Sequence, residues 1–195
     1  MKIEAPIADC PIILKPQAKY QHNDQTTSKM SEMKKELHYL RGEVIAYGYD
    51  IESKVRDLIS FLYATEEEPK QGLSRRHIGS ILLSKLDFSK KIAVLQQSLQ
   101  ALEEECEDLI KELNFIRKRR NRFAHELICL IPINEGVDGF TPIFEKDGKE
   151  TIINQQFVDE FLTRCQHAVN EMTILQRKYT ANKSSQGTQQ SCAPA

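Results

Sequence analysis

Tryptophan is absent from this 195-residue chain, and glycine and proline number only 8 and 7. So few turn formers exclude an all-β protein built on many tight turns. The five cysteines, Cys10, Cys106, Cys129, Cys165 and Cys192, form no CxxC pair, which excludes the usual zinc-ribbon and dithiol redox motifs. Their odd number and wide scatter suit reduced thiols in a cytoplasm. The histidines are equally dispersed and no HExxH occurs, so no metal and no cofactor is expected. An excess of one charge is also missing: 27 Lys+Arg stand against 28 Asp+Glu, for a net charge of −1. A histone-like polycation is thereby excluded, although a local basic patch can still sit in a neutral chain. No apolar run approaches the roughly 20 residues of a membrane span, and the first twenty residues lack the continuous apolar core of a signal peptide. A cytoplasmic, soluble protein without membrane contact is expected.

What is present is helical grammar. Hydrophobic residues make up 40% and charged residues 28%, globular usage for one domain of about 100–200 residues. Residues 1–28 carry Pro6, Pro11 and Pro16 and then a polar stretch, which predicts an extended arm in which Ile12, Ile13 and Leu14 can dock. The domain proper is expected at 29–179. Apolar residues at Met30, Met33, Leu37, Leu40, Val44, Tyr47, Ile51, Val55, Leu58 and Leu62 recur in steps of three and four, the period of an amphipathic helix. Glu66–Pro69 and Gly72 end it. A short helix is expected over Ile78–Leu86, another after Asp87 or Ser89 with Ile92, Leu95 and Leu99 on one face, and a soft turn near Ser98–Glu103. A third long helix is expected from about Glu103 to Ile128, with an acidic start and a basic later part that complement the helix dipole. Phe140–Phe144, Lys146-Asp147-Gly148 and Thr151–Ile153 read as a β-hairpin turning on Asp-Gly. Asn154 is a fair cap for a last helix with Phe157, Phe161, Cys165, Val169, Met172 and Leu175 on one face. Residues 180–195 are too polar to offset ordering entropy and are expected to be disordered.

One position breaks the pattern. The stripe Leu102, Cys106, Leu109, Leu113, Ile116, Phe123, Leu127 and Leu130 asks for an apolar residue at 120 and has Arg120. A buried charge without partners is costly, so Arg120 must meet a partner, a wet cleft or an anion. Arg117, Lys118, Arg119 and Arg122 crowd around it. Asn121 and His125, four apart, share one side of the helix. Arg120 and His125 lie about 140° apart on an ideal helix, so a bend or a second copy of the helix is needed to bring them to one spot. The alternative is a solvated helix end whose cations pair with the acidic segments at Glu103–Asp108 or Glu66–Glu68.

At these residues the sequence resembles the HEPN superfamily (higher eukaryotes and prokaryotes nucleotide-binding domain), whose motif is an Arg, commonly a polar residue, and a His a few residues on, late on a long helix. It stands here as Arg120-Asn121-Arg122-Phe123-Ala124-His125, preceded by Leu113-x-x-Ile116. Glu52, on the first long helix, and Ser89-Lys90-Lys91-Ile92-x-x-Leu95 also look family-like; Glu52 can equally be an exposed carboxylate beside Arg56. The resemblance covers residues 30–180. It implies an all-α, HEPN-like bundle of four to five helices with a small β-hairpin before the last one.

The resemblance further implies a metal-independent endoribonuclease acting as a homodimer, with two motif helices building a composite cleft. The 2′-hydroxyl of RNA attacks the adjacent phosphate. His125 takes or relays the proton, Arg120 holds the phosphorane charge, and Asn121 orients His125 or the phosphate. Arg117, Lys118, Arg119 and Arg122 hold the RNA backbone, and Glu52 is a supporting acid. Such proteins are toxin-like or antiviral effectors, with an antitoxin or defence-system protein as partner. In the subgroup paired with nucleotidyltransferase antitoxins a Tyr follows the His by two residues; here that residue is Leu127. A second expectation is a non-catalytic dimeric module that binds RNA, a nucleotide or a protein. A third is an interaction protein that assembles through its first long helix.

Overall fold

The computed structural model describes residues 12–14, 24–63, 81–132 and 139–187. Its long helices are α1 (Asp24–Tyr63), α2 (Phe88–Ala101), α3 (Glu107–His125) and α4 (Gln155–Gly187), and residues 81–84 are also helical. The strands are β1 (Ile12–Leu14), β2 (Leu127–Pro132), β3 (Phe140–Lys146) and β4 (Lys149–Ile152). They form one sheet in the order β1-β2-β3-β4, with β1 parallel to β2 and the other pairs antiparallel. The protein is thus mainly α-helical with a small sheet, not all-α with a lone hairpin. The loop expected at 66–72, the start of the short helix at 78, and residues 188–195 lie outside the described residues. α4 continues to Gly187, past the helix end expected at Tyr179.

Each boundary has a local cause. Asp87 caps α2, its Oδ1 accepting the Lys90 N–H at 2.9 Å. α2 ends in a Schellman motif: the Glu103 N–H donates to Gln100 O and the Glu104 N–H to Leu99 O, both at 3.0 Å. The left-handed position, usually glycine, is Glu103 at φ 56°. Leu102 is therefore a half-exposed turn residue, not part of the α3 stripe. Asn154 caps α4 through the Phe157 N–H at 2.8 Å. Asp147 and Gly148, at φ 52° and 73°, turn β3 into β4, the conformation that favours Asp-Gly.

α3 stops at His125, and the helix expected to Ile128 is instead strand β2 from Leu127 onward. Ile128, Cys129 and Leu130 are all buried. A strand covered on both faces reads as a continuous apolar run, which imitates the end of a helical stripe. The partners of β2 in the sheet, β3 antiparallel and β1 parallel, decide the matter.

The described residues divide into two compact units. One takes those within Met1–Gly48 and Lys118–Thr163, the other those within Tyr49–Arg117 and Arg164–Ala195. In the first, Phe123, Phe144 and Phe157 pack edge-on or tilted, with ring centroids 4.9 to 6.1 Å apart, joining α3, β3 and α4. Ile128, Leu130, Ile143 and Phe161 are buried in the same unit. In the second, Val55, Leu58, Leu95, Leu99, Leu113 and Ile116 are fully buried. There the Lys91 ammonium meets the Glu52 carboxylate at 2.5 Å, with both side chains nearly buried. Among the described residues no helix is long and apolar enough to cross a membrane.

Candidate functional site

The α1 part of the first unit explains where Arg120 goes. Its buried row is Leu37, Arg41, Val44 and Gly48, in steps of four, three and four. Leu40 and Tyr47, expected on that row, sit off it; Tyr47 is 47% exposed. Gly48 leaves a gap on the helix surface, and the stem of Arg120 fills it. A Cβ placed on Gly48 would lie 2.6 Å from Arg120 Cδ and 2.7 Å from Cγ. The arginine that interrupts the α3 stripe thus packs its methylenes where glycine interrupts the α1 row. Its guanidinium is carried on to Asn121: Nε and Nη2 donate to Oδ1 at 3.2 and 3.1 Å.

Asn121 opens onto a surface cleft of about 640 Å³. α3 contributes Lys118, Asn121, Arg122 and His125 to its walls, Glu126 and Leu127 follow, and β3 supplies Glu145 and Lys146. His125, the last residue of α3, is exposed. The register sets Leu127 opposite Glu145, which brings the end of β3 beside the end of α3. Arg122 donates from Nε to Glu126 Oε2 at 2.7 Å and lies over the Phe144 ring. Lys146 lies 3.8 Å from the other Glu126 oxygen. The Cys129 thiol donates to Glu145 at 3.5 Å. Three cations therefore share the cleft with two carboxylates and an imidazole. Below it the fully buried Arg41 donates from Nη2 to the Glu126 carbonyl at 3.3 Å, capping the chain where α3 gives way to β2.

The remaining expected site residues lie elsewhere. Arg119 is turned into the protein. Nη2 pairs with Glu160 at 2.8 Å, and the guanidinium stacks 3.3 Å from the centre of the Phe157 ring, with 15% of the side chain exposed. That geometry holds α4 against α3 and is not the geometry of an RNA-backbone contact. Arg117 belongs to the second unit, where Nη2 reaches Asn114 at 3.5 Å and Nε is buried with no hydrogen-bond partner. Glu52 is also in the second unit, paired with Lys91; it is not an exposed carboxylate beside Arg56, whose partner is Asp57. The basic run does pair with acids, Arg119 with Glu160 and Arg122 with Glu126; of the acidic segments named for it, Glu66–Glu68 lie outside the described residues.

Sequence reasoning passed over Arg41, Gly48, Glu126, Glu145 and Lys146. The row 37-41-44-48 was a signal for the first two, because an Arg and a Gly on the α1 row match an Arg on the α3 row. Glu126 directly follows His125 and pairs with Arg122 four residues before it, while Glu145 and Lys146 are brought in by the β2–β3 register. Among the described residues no cluster of His, Cys, Asp or Glu is arranged to hold a metal ion. Cys106, Cys129 and Cys165 are buried and outside any disulfide; burial pushes the Cys165 thiol up to about 12, far from a reactive thiolate. No family model, curated protein or solved structure matches the chain.

Proposed function

We propose that the chain is a metal-independent endoribonuclease of the HEPN type, a toxin-like or antiviral effector working as a homodimer. The observation that carries this reading is the convergence of Asn121, which holds the Arg120 guanidinium, with His125 on one basic-edged cleft. RNA is the substrate. The 2′-oxygen attacks phosphorus, the bond to O5′ breaks, and the products end in a 2′,3′-cyclic phosphate and a 5′-hydroxyl. His125 handles a proton of that transfer, work suited to an imidazole near neutral pH. Arg120 stabilises the developing phosphorane charge as a planar donor fork. Asn121 fixes the direction of that fork. Lys118 and Lys146 attract the backbone without reading bases.

The test is cleavage of total RNA in EDTA by the wild-type chain and by His125→Ala. Wild type should produce cyclic-phosphate ends and the variant should not. Cleavage that demands a divalent metal, or that His125→Ala retains, overturns the assignment. One observation favours a non-catalytic RNA- or protein-binding module instead: Arg122 and Lys146 face Glu126, and Glu145 lines the same walls, which leaves the cleft close to charge balance. RNA binding without cleavage is the result that reading expects.

A further inference from the structure

We infer that Arg41, on α1, is a positioning residue for His125: it fixes the peptide that follows the histidine and so the placement of the imidazole. This inference rests on the ribonuclease reading above, in which His125 handles a proton. A group that moves a proton must be held to within about 0.5 Å of its productive place. The end of a helix is a poor mount for one. The last carbonyls have no partner within the helix, and terminal turns fray. His125 is the last residue of α3 and its side chain is exposed. Its placement therefore rests on how firmly the backbone beneath it is held.

The residue after His125 is held from both sides. The Glu126 N–H donates to Arg122 O at 2.8 Å, continuing the helical bonding by one residue. The Glu126 carbonyl accepts from Arg41 Nη2 at 3.3 Å. Arg41 is 1% exposed, and Leu37 and Val44 are buried before and after it on the same row of α1. A helix-end carbonyl needs only a donor, which water or a neutral side chain can supply. Taking a guanidinium out of water is costly. Kept there despite that cost, it gives a planar, permanently charged donor that burial holds in one place. α1 also meets the other end of the motif. Gly48, seven residues after Arg41, receives the stem of Arg120. The later α1 residue meets the earlier α3 residue, so the two helices run antiparallel here. The two contacts are about 10 Å apart along α1 and about 9 Å apart along α3. One helix thus spans the motif from Arg120 to His125 and keeps its two ends at a set separation.

The experiment compares the full-length wild type with Arg41→Met, Arg41→Lys, His125→Ala and, as control, Leu37→Ala, a cavity on the same buried row. Single-turnover cleavage of an RNA oligonucleotide is measured in EDTA at saturating protein, well below every melting temperature. Affinity is measured with the same oligonucleotide carrying 2′-deoxyribose at the cleavage site. Heteronuclear NMR follows the His125 ring without RNA. Arg41→Met should cleave about 10²-fold more slowly, the usual effect of a displaced catalytic group. It should keep its affinity, and its His125 signals should move. Arg41→Lys, whose ammonium can donate to the same carbonyl, should recover part of the rate. Leu37→Ala should melt lower yet keep the wild-type rate and His125 signals. If Arg41→Met keeps the wild-type rate while His125→Ala is inactive, Arg41 does not position the imidazole and the ribonuclease reading stands. A lost rate with unmoved His125 signals overturns the inference in the same way. If Leu37→Ala slows cleavage as much as Arg41→Met does, the effect is lost stability and the inference falls. If wild type cleaves nothing, the ribonuclease reading falls and the inference with it. Circular dichroism checks folding. Should Arg41→Met not fold, Arg41→Lys decides alone, and a wild-type rate there overturns the inference.

Discussion

Gly48 on α1 and Arg120 on α3 are complementary surfaces: the arginine stem occupies the space that a Cβ at residue 48 would need, 2.6 Å from Cδ and 3.0 Å from Cβ. The clashing atoms belong to the stem rather than to the far end of the side chain, so relief requires moving the Arg120 stem itself. In an open helix position, alanine for glycine stabilises by about 0.5–1 kcal/mol. At Gly48 that gain is outweighed by overpacking, typically about 1–3 kcal/mol. Gly48→Ala should lower the melting temperature and, if the cleft is catalytic, reduce RNA cleavage. Gly42→Ala on the same helix, where nothing lies within 4 Å of an added Cβ, should raise it. Equal shifts of the same sign would show that the contact does not matter.

The α2–α3 turn carries a second backbone prediction. Glu103 occupies the left-handed position of a Schellman motif at φ 56°, a conformation that costs a non-glycine residue about 1 kcal/mol. Glu103→Gly should relieve that strain and raise stability by up to about 1 kcal/mol, despite the greater freedom glycine brings to the unfolded chain. Chemical denaturation measures it; a clear loss of stability would contradict the assignment of strain.

The same residue shows why some of the fold was legible in the sequence and some was not. Asp147-Gly148, Asn154 and Asp87 announce their turns and caps because the residue type itself satisfies the local geometry. Glu103 announces nothing, since the turn there is imposed by the helices it joins. Periodicity located α1 and the anomaly at Arg120, but it could not tell Leu127 and Leu130 on a buried strand from the next turn of a helix. Only the pairing of Ile128 with Phe144 and with Ile12 separates the two. Likewise the motif residues Arg120, Asn121 and His125 were visible one by one. Of the carboxylates that share the cleft with them, Glu126 directly follows His125 in the chain, whereas Glu145 arrives through sheet register and was not visible.

Acid and alkali should both act at Glu104. Its carboxylate accepts from Lys178 and from the Tyr179 hydroxyl, the latter at 2.8 Å. The hydrogen bonds from Lys178 and Tyr179 hold it below the ordinary 4.5. A depressed folded value means stability that is present above 4.5 and lost as pH falls through the lower folded value. Tyr179 is pushed up to about 12, by burial first and then by its bond to Glu104. A raised folded value means stability that is full below the ordinary 10 and lost as pH climbs from 10 toward 12. Glu104→Gln should therefore be less stable than wild type at neutral pH. The difference should shrink in acid, where Glu104 itself takes up a proton. Tyr179→Phe should flatten the alkaline loss. Thermal melts of both variants across pH decide it, and a pH-independent difference for Glu104→Gln would refute the linkage.

Lys118 and Arg119 are adjacent in sequence and should behave oppositely. Lys118 is exposed and lines the cleft, where an ammonium can neutralise a phosphate and release a counterion. Lys118→Ala should weaken RNA binding across sequences and reduce the slope of log affinity against log salt by about 1, leaving the melting temperature unchanged. Arg119 is spent on Glu160 and the Phe157 ring. Arg119→Ala removes a partly buried ion pair and a close cation–π contact, together worth about 1–3 kcal/mol of stability, and should leave the salt slope as it was. Arg119→Lys keeps the charge but loses the planar stack and the directed donor, so it should restore only part of the stability. The measurements are fluorescence anisotropy with a labelled RNA at several salt concentrations, and thermal melts of the same preparations. If Arg119→Ala changes the salt slope as much as Lys118→Ala does, Arg119 reaches RNA after all. The bound state must then break its pair with Glu160.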